Sequence, residues 1–404
     1  MQHVTADQTT VRHANLGVVL RHVRDRAVIS RARIAAETGL NKSTVSSLIA
    51  ELIDLGLVRE TGDDERPGSV GRPAATVCLS TTMVAIGLEL NVDYIAVALE
   101  DLAGNAIAER RIYRDLRESP PGPVLDELAR LATAELELAR TEGLRVFGIG
   151  IAVPGLVDVG PGVLLRAPNL GWQGVAIARE LAERLDMPEL VVRVENEANL
   201  AALSELWHGG ARNRRSFVYV FGEIGVGAGI VIDSVLFRGA HGFSGEFGHV
   251  TIDRSGAPCA CGSRGCLETI AGLEAIAIRA GLVPGSIDRT QSLAEELGRR
   301  AAGGDAATLA SLDQAAAALG PALASAINLL DLDAVVLGGC YEALAPWLIK
   351  PIELALEQRV LSSEWTRCDV EASSVAGAPV RGAAAIVLRQ VFEQPRLAVT
   401  PAGV

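Results

Sequence analysis

Leu16, Val19, Leu20 and Val23 fall three and four residues apart, the spacing that gathers apolar side chains on one helix face. Ser30 stands where it can cap a second helix over 31–37. The stretch TGLN (38–41) breaks the period, and its Gly39 suits a tight turn. A third helix is predicted from about Lys42 to Leu55, burying Val45, Leu48, Ile49, Leu52 and Ile53. Helix, Gly-containing turn and helix make a helix-turn-helix. Beyond Gly56, LVRE and AATVCLS read as two strands around TGDDERPGSVGRP, which adds a wing. Residues 1–80 are therefore expected to form a winged helix-turn-helix.

The third helix opens on Asn41, Lys42, Ser43 and Thr44, followed by Ser46 and Ser47. Short polar side chains at this end meet base edges and phosphates when such a helix enters a major groove. Arg72, in GRP, is a candidate minor-groove reader at the wing tip. The alternative for the same pattern is a three-helix module that contacts only protein.

Past residue 80 the pattern turns to buried strands. MVAIGLEL, YIAVALED and AIAERRIY read as three in succession, followed by a helix at roughly 122–142 and the strands VFGIGIAV and ELVVRVEN. From residue 215 the order begins again with SFVYVFGEI, VGAGIVID and SVLFRG. Helices are expected at about 267–281, 290–302 and 306–330, then the strand DAVVLGG, then helices at about 342–359 and 381–394. Two β-β-β-α units predict an α/β body in two lobes over 81–404, with ligands in the cleft between them. Lobe 1 takes about 81–198 plus the C-terminal helix at about 379–396, and lobe 2 takes about 199–378. Gly-rich turns at 222–229 (GEIGVGAG) and 337–339 (LGG) face that cleft and could approach a phosphate.

Composition agrees with this outline. The 404 residues allow two or three domains, and 49% apolar with 4% aromatic suits an Ala/Val/Leu/Gly-rich core. No run of 18 uncharged apolar residues predicts a membrane span, and the first residues lack an apolar signal core. A cytoplasmic protein with reduced thiols is expected. The net charge of −12 argues against general nucleic-acid affinity. It is unevenly spread, however: residues 1–80 carry ten Arg/Lys and nine Asp/Glu, against 27 and 40 in the rest.

Three of the six cysteines, Cys259, Cys261 and Cys266, fall within eight positions, ten residues after His249. In a reducing compartment such a cluster binds metal more often than it forms disulfides. One nitrogen and three sulfurs make a full tetrahedral zinc set with no open position, so the Zn2+ would be structural. A redox site is the alternative. Cys78, Cys340 and Cys368 are scattered and fit small buried residues.

Taken together, these residues resemble the ROK family of repressors, open reading frames of unknown role and sugar kinases. The resemblance runs from about residue 15 to 395. It is carried by GEFGHVTIDRSGAPCACGSRGCLE (245–268), VPG (153–155), APNLGW (167–172) and VENEANLAALSE (194–205). It implies a two-lobed actin-like sugar-kinase fold. The winged helix ahead of it resembles the repressor branch, with its xylose, N-acetylglucosamine and glucose-responsive regulators; the kinases lack that extension. By the same resemblance Glu246, His249 and Glu268 would contact sugar hydroxyls, with Asn169, Asn196 and Glu197 completing the set. Carboxylates accept hydroxyl protons, and buried polar pairing separates sugar isomers strongly. The bland alternative makes Glu246 and Glu268 surface helix caps.

Where family kinases carry Asn-Asp-Ala-Asn with the Asp as general base, this chain has Asn-Glu-Ala-Asn, with Glu197 one methylene longer. Where they carry an Asp-x-Gly-Gly-Thr phosphate loop, it has Glu89, Leu90, Asn91, Val92 and Asp93. Ile224 stands in place of a Thr hydroxyl. The expected function is a sugar-responsive transcriptional repressor of carbohydrate-utilisation genes, not an enzyme. It would bind operator DNA through the winged helix and a sugar effector between the lobes, as a homodimer or higher homo-oligomer. An ATP-dependent ROK-type sugar kinase with an appended DNA-binding module is the alternative.

Overall fold

A computed structural model describes residues 8–61, 76–283 and 293–396. The wing tip with Arg72 lies outside the described residues. The N-terminal unit is built from α1 (Gln8–Arg26), β1 (Val28–Ser30), α2 (Arg31–Thr38), α3 (Lys42–Asp54), β2 (Val58–Thr61) and β3 (Thr76–Leu79). Ser30 caps α2 by accepting from the Arg33 N–H at 3.3 Å, and Gly39, at φ +73°, closes it. Asn41 caps α3 through a 2.7 Å bond from the Thr44 N–H. Leu16, Val19, Leu20 and Val23 of α1 are buried against Val45, Leu48, Ile49 and Leu52 of α3, while Ile53 sits half-buried at the margin. The short β1 was not expected; it completes a sheet of order β1-β3-β2, and three residues carry too little period to read.

The core of this unit does not stop at its boundary. Met83, Ala85, Ala384, Val387, Leu388, Val391 and Phe392 from the body belong to the same apolar cluster. The Met, Val, Leu and Phe side chains among them each contribute about 1.5–3 kcal/mol by leaving water. The winged helix is therefore packed onto the body rather than tethered to it.

The first large sheet has the order β11-β7-β4-β5-β6. β4 (Met83–Leu90), β5 (Tyr94–Asp101) and β6 (Ala106–Tyr113) run antiparallel; α4 (Pro121–Thr141) leads to β7 (Arg145–Val153), parallel to β4. A small antiparallel sheet follows, β8 (Leu156–Asp158), β9 (Val163–Ala167) and β10 (Trp172–Val175), then α5 (Ile177–Leu185), β11 (Val191–Asn196) and α6 (Glu197–His208). The second large sheet repeats the plan with β12 (Phe217–Gly222), β13 (Val226–Ile232) and β14 (Val235–Phe237). Helices α7 (Glu268–Ala271), α8 (Leu273–Arg279), α9 (Leu293–Ala302) and α10 (Ala306–Leu330) precede β15 (Ala334–Gly339), α11 (Cys340–Arg359), β16 (Asp369–Ala372) and α12 (Ala378–Glu393). Its order is β14-β13-β12-β15-β16.

Helices α6 and α12 pack on each other between the two sheets. Glycine makes that crossing close. A methyl group at Gly150 of β7 would overlap the Ala383 carbonyl of α12, and one at Gly382 of α12 would overlap the Leu200 carbonyl of α6. Two expectations change here. The helix expected at 267–281 breaks at Gly272, whose backbone abuts the Ile224 carbonyl, so α7 and α8 are separate. Helix α6 runs across the expected lobe division at 198/199. It shows no amphipathic period because Ala198 through Glu205 are all buried.

Candidate functional site

All six residues expected to contact a sugar line one cavity of about 260 Å³ between the sheets. Asn169 comes from the turn between β9 and β10. Asn196 ends β11, and Glu197 begins α6. Glu246 precedes the 3-10 turn Phe247–His249, His249 ends it, and Glu268 opens α7. Asn169 and Glu268 meet across Gly225: a side chain there would come within 3.1 Å of the Glu268 carboxylate and 3.4 Å of the Asn169 amide. Asn196 is engaged on both sides. Its Oδ1 accepts from the Ala198 and Asn199 N–H groups, and its Nδ2 donates to the Gly155 carbonyl at 3.1 Å. Its first role is to hold α6 against the VPG turn.

Glu197 accepts from the Asn91 amide at 3.4 Å. It is half-buried and lines the cavity. That burial, with repulsion from Glu89, Glu223 and Glu246, holds its carboxyl well above the usual range. Glu223, on the same wall, is pushed up to about 8 by burial and by Glu89.

His249, Cys259, Cys261 and Cys266 converge beside this cavity, their ligand atoms all within 4.8 Å of one another. Four ligands about 2.3 Å from a zinc ion lie about 3.8 Å apart. Cys261 Sγ and Cys266 Sγ are 3.7 Å apart, as are Cys259 Sγ and His249 Nδ1. The four residues fit a tetrahedral metal. His249 reaches both ways: Nδ1 faces the cluster, and Nε2 stands 3.7 Å from Glu246 Oε2. Glu268 joins the two as well, since Cys259 Sγ donates to its Oε1 at 2.7 Å. Of the other cysteines, Cys78 and Cys340 are buried and Cys368 is half-buried.

A larger cavity of about 660 Å³ lies beyond Glu223 and Ile224, which line both. Asp93, Glu109, Asp115, Glu223 and Glu342 face it, against Arg111 and Arg117. A polyphosphate would meet mostly acidic side chains there. The β4–β5 turn is also closed to it, because Asn91 Oδ1 accepts from the Val92 N–H at 2.6 Å and the Asp93 N–H at 3.4 Å. The backbone donors that a phosphate needs are occupied by the protein's own side chain. Arg117 crosses the cleft, donating to Asp93 at 3.2 Å and to Glu274 at 2.6 Å.

On the winged helix, Lys42, Ser43 and Ser46 are exposed along the start of α3, and Thr44 is half-buried. Asn41 Oδ1 is committed to the cap, and Ser47 accepts from Arg12 at 3.1 Å. Lys42 is the cation best placed at this end. Lys42→Ala is expected to weaken DNA binding for every sequence alike and to lower the slope of log affinity against log salt by about one unit. An unchanged slope in a salt titration would show that Lys42 touches no phosphate.

Sequence reasoning missed three residues that line the smaller cavity. Asn91 stands out in the sequence only as a departure from a phosphate loop, Glu223 only as part of the Gly-rich turn 222–229, and Arg166 lies on β9, in a small sheet whose strands are too short to predict. Paired acidic and amide side chains around a Gly-rich turn were the available signal for Glu223.

Comparison with known proteins agrees with this geometry. The ROK family profile matches residues 85–390 and the MarR family profile residues 12–67. The xylose repressor of Bacillus subtilis is 32% identical over 385 residues, covering 95% of this chain and 97% of that one. Among solved structures, a ROK family transcriptional regulator homologous to the E. coli MLC protein superposes with a TM-score of 0.79 at 26% identity, covering 97% of this chain and 99% of that one. A ROK family glucokinase from Streptomyces griseus, solved with glucose and AMPPNP, matches with a TM-score of 0.64 at 27% identity. It covers 76% of this chain and 99% of its own. Among the described residues, no helix is long and apolar enough to cross a membrane. With a MarR-type winged helix ahead of an actin-like sugar-kinase fold, the chain belongs to the ROK family.

Proposed function

We propose that this protein is a sugar-responsive transcriptional repressor of carbohydrate-utilisation genes, acting in the cytoplasm. The observation that carries the reading is a contrast between two neighbouring cavities. The smaller one gathers carboxyls, amides and an imidazole suited to sugar hydroxyls. The larger one presents carboxylates, and its phosphate-facing turn is capped by Asn91. A sugar can bind, but phosphoryl transfer lacks its clamp.

The N-terminal helix α3 reads operator DNA, and a homodimer matches the two-fold symmetry of such sites. Asn169, Glu197, Glu246, His249 and Glu268 contact the sugar, while Asn196 positions Glu197. A structural zinc ion held by His249, Cys259, Cys261 and Cys266 braces the loop that carries Glu246 and Glu268. The full-length match to a xylose repressor makes a neutral aldose the first ligand to try. Residues 1–80 serve as the DNA-binding domain and 81–404 as the sugar-binding body.

The test is a DNA-binding titration on a fragment that the wild-type protein selects from a random-sequence pool. Adding D-xylose or D-glucose is expected to weaken binding by about 5–150-fold, the range of ordinary allosteric coupling. Unchanged DNA affinity together with sugar-dependent ATP turnover at roughly 1–100 per second would replace this reading with the kinase one.

A further inference from the structure

Helix α6 reaches from the proposed effector pocket to the DNA-binding unit. At one end Glu197 lines the smaller cavity, and the capping Asn196 is tied to Gly155 in its wall. Ala198 in its first turn and Ala202 in its middle both lie close against Gly229 of β13 in the second sheet. One turn from its far end, the buried Glu205 accepts from Ser373 Oγ at 2.7 Å and from the N–H groups of Ser374 and Val375 at 2.6 and 3.1 Å. It thereby holds the turn that feeds α12.

The last turn of α6 leaves the body's own core. Trp207 packs against the apolar cluster of the winged helix and meets the Phe392 ring edge-on, with centroids 5.9 Å apart. Arg24 of α1 covers both rings, its guanidinium carbon 5.2 Å from the Trp207 centroid and 5.1 Å from that of Phe392. Arg21, one turn earlier on α1, donates to the Phe392 carbonyl at 3.0 Å.

The twelve residues of α6 span roughly 18 Å at about 1.5 Å each, with no loop between the two ends. Ala198 through Glu205 are buried, so the helix cannot bend or slide without disturbing both sheets. Close-packed elements of this kind shift as units between discrete arrangements. We propose that Trp207 and Arg24 are positioning residues that pass the sugar signal from Glu197, through α6, to the winged helix. The inference rests on the reading of the smaller cavity as an effector site.

The test compares wild type with Trp207→Ala, Trp207→Phe and Arg24→Gln on the selected DNA fragment, with and without D-xylose or D-glucose. Trp207→Ala and Arg24→Gln should keep sugar affinity and leave DNA binding without sugar roughly unchanged. Their response to sugar should fall below about twofold, against roughly 5–150-fold in wild type. Trp207→Phe, which keeps an aromatic edge, should restore much of the response. Coupling is reciprocal, so DNA should shift sugar affinity in wild type and not in the two uncoupled variants. A merely structural Trp207 would lower the melting temperature and leave the ratio intact, and that result would overturn the inference alone. If Trp207→Ala does not fold, Arg24→Gln carries the same comparison. A wild type that answers to neither sugar would overturn the effector reading and this inference with it.

Discussion

Cys266→Ala is expected to release the metal, lower thermal stability and weaken sugar binding, while leaving DNA binding without sugar largely intact. Cys266 is completely buried at the base of a loop whose residues 253–264 are mostly exposed. That loop has little apolar core of its own. Its cohesion comes from a few backbone bonds, such as Ile252 N–H to the Gly265 carbonyl at 2.8 Å, and from the ligand cluster. In isolated zinc-finger peptides metal binding supplies about 10–16 kcal/mol, because nothing else folds them. Here the rest of the second lobe has its own core, so the loss should be local and amount to several kcal/mol at most. It should still reach the ligand, because His249 belongs to the candidate metal cluster and turns its second nitrogen toward Glu246, and Glu268 touches Cys259. Metal analysis, a melting curve and a sugar titration on the same preparation check this. Cys340→Ala, buried outside the cluster, is the control and should keep its metal. A metal-free protein with unchanged melting and sugar affinity would remove zinc from the account.

Glu197→Ala is expected to retain the metal and the DNA affinity yet lose the response to sugar, a change of up to about 150-fold in the liganded comparison. The side chain stands at the start of α6 on one wall of the cavity, while Glu246 and Glu268 come from the wall beside the His/Cys cluster. A ligand that bridges both walls favours the closed arrangement, and only such differential affinity can shift the equilibrium. Leaving one buried polar partner unmatched costs about 1–3 kcal/mol, enough to cancel coupling of that size. The raised pKa of Glu197 sharpens the test. Burial and the neighbouring carboxylates Glu89, Glu223 and Glu246 favour its neutral acid form, so the neutral amide of Glu197→Gln should preserve much of the response. A Glu197→Ala protein that still answered the same sugar concentrations would take this residue out of the switch. Loss of DNA binding without sugar would make it structural.

Much of this protein could be read along the chain, wherever neighbours in sequence are also neighbours in space. The three helices of the winged unit, the strands of both large sheets and the grouping of three cysteines in one loop follow from local period, caps and spacing. Cys259, Cys261 and Cys266 lie within one loop, and their ligand chemistry hardly depends on the rest of the fold. The departures at 91–93 and Ile224 were also visible as residue types, although their effect was not.

Other features depended on packing between distant segments. The small sheet β8–β10 and its Arg166 carry periods too short to stand out, and α6 shows none because both sheets and α12 bury it on all sides. That Asn91 turns its side chain back onto the Val92 and Asp93 N–H groups, and so closes a phosphate turn, is a matter of rotamer and hydrogen bonding. The union of the winged helix with α12, and the meeting of Arg24, Trp207 and Phe392, join residues distant in sequence, such as Arg21 and Phe392, 371 positions apart. Local propensity and spacing determine which segments form helices, strands and a metal loop. Only the packed core decides which of their ends meet, because that choice is made by burial between surfaces that no short stretch of sequence contains.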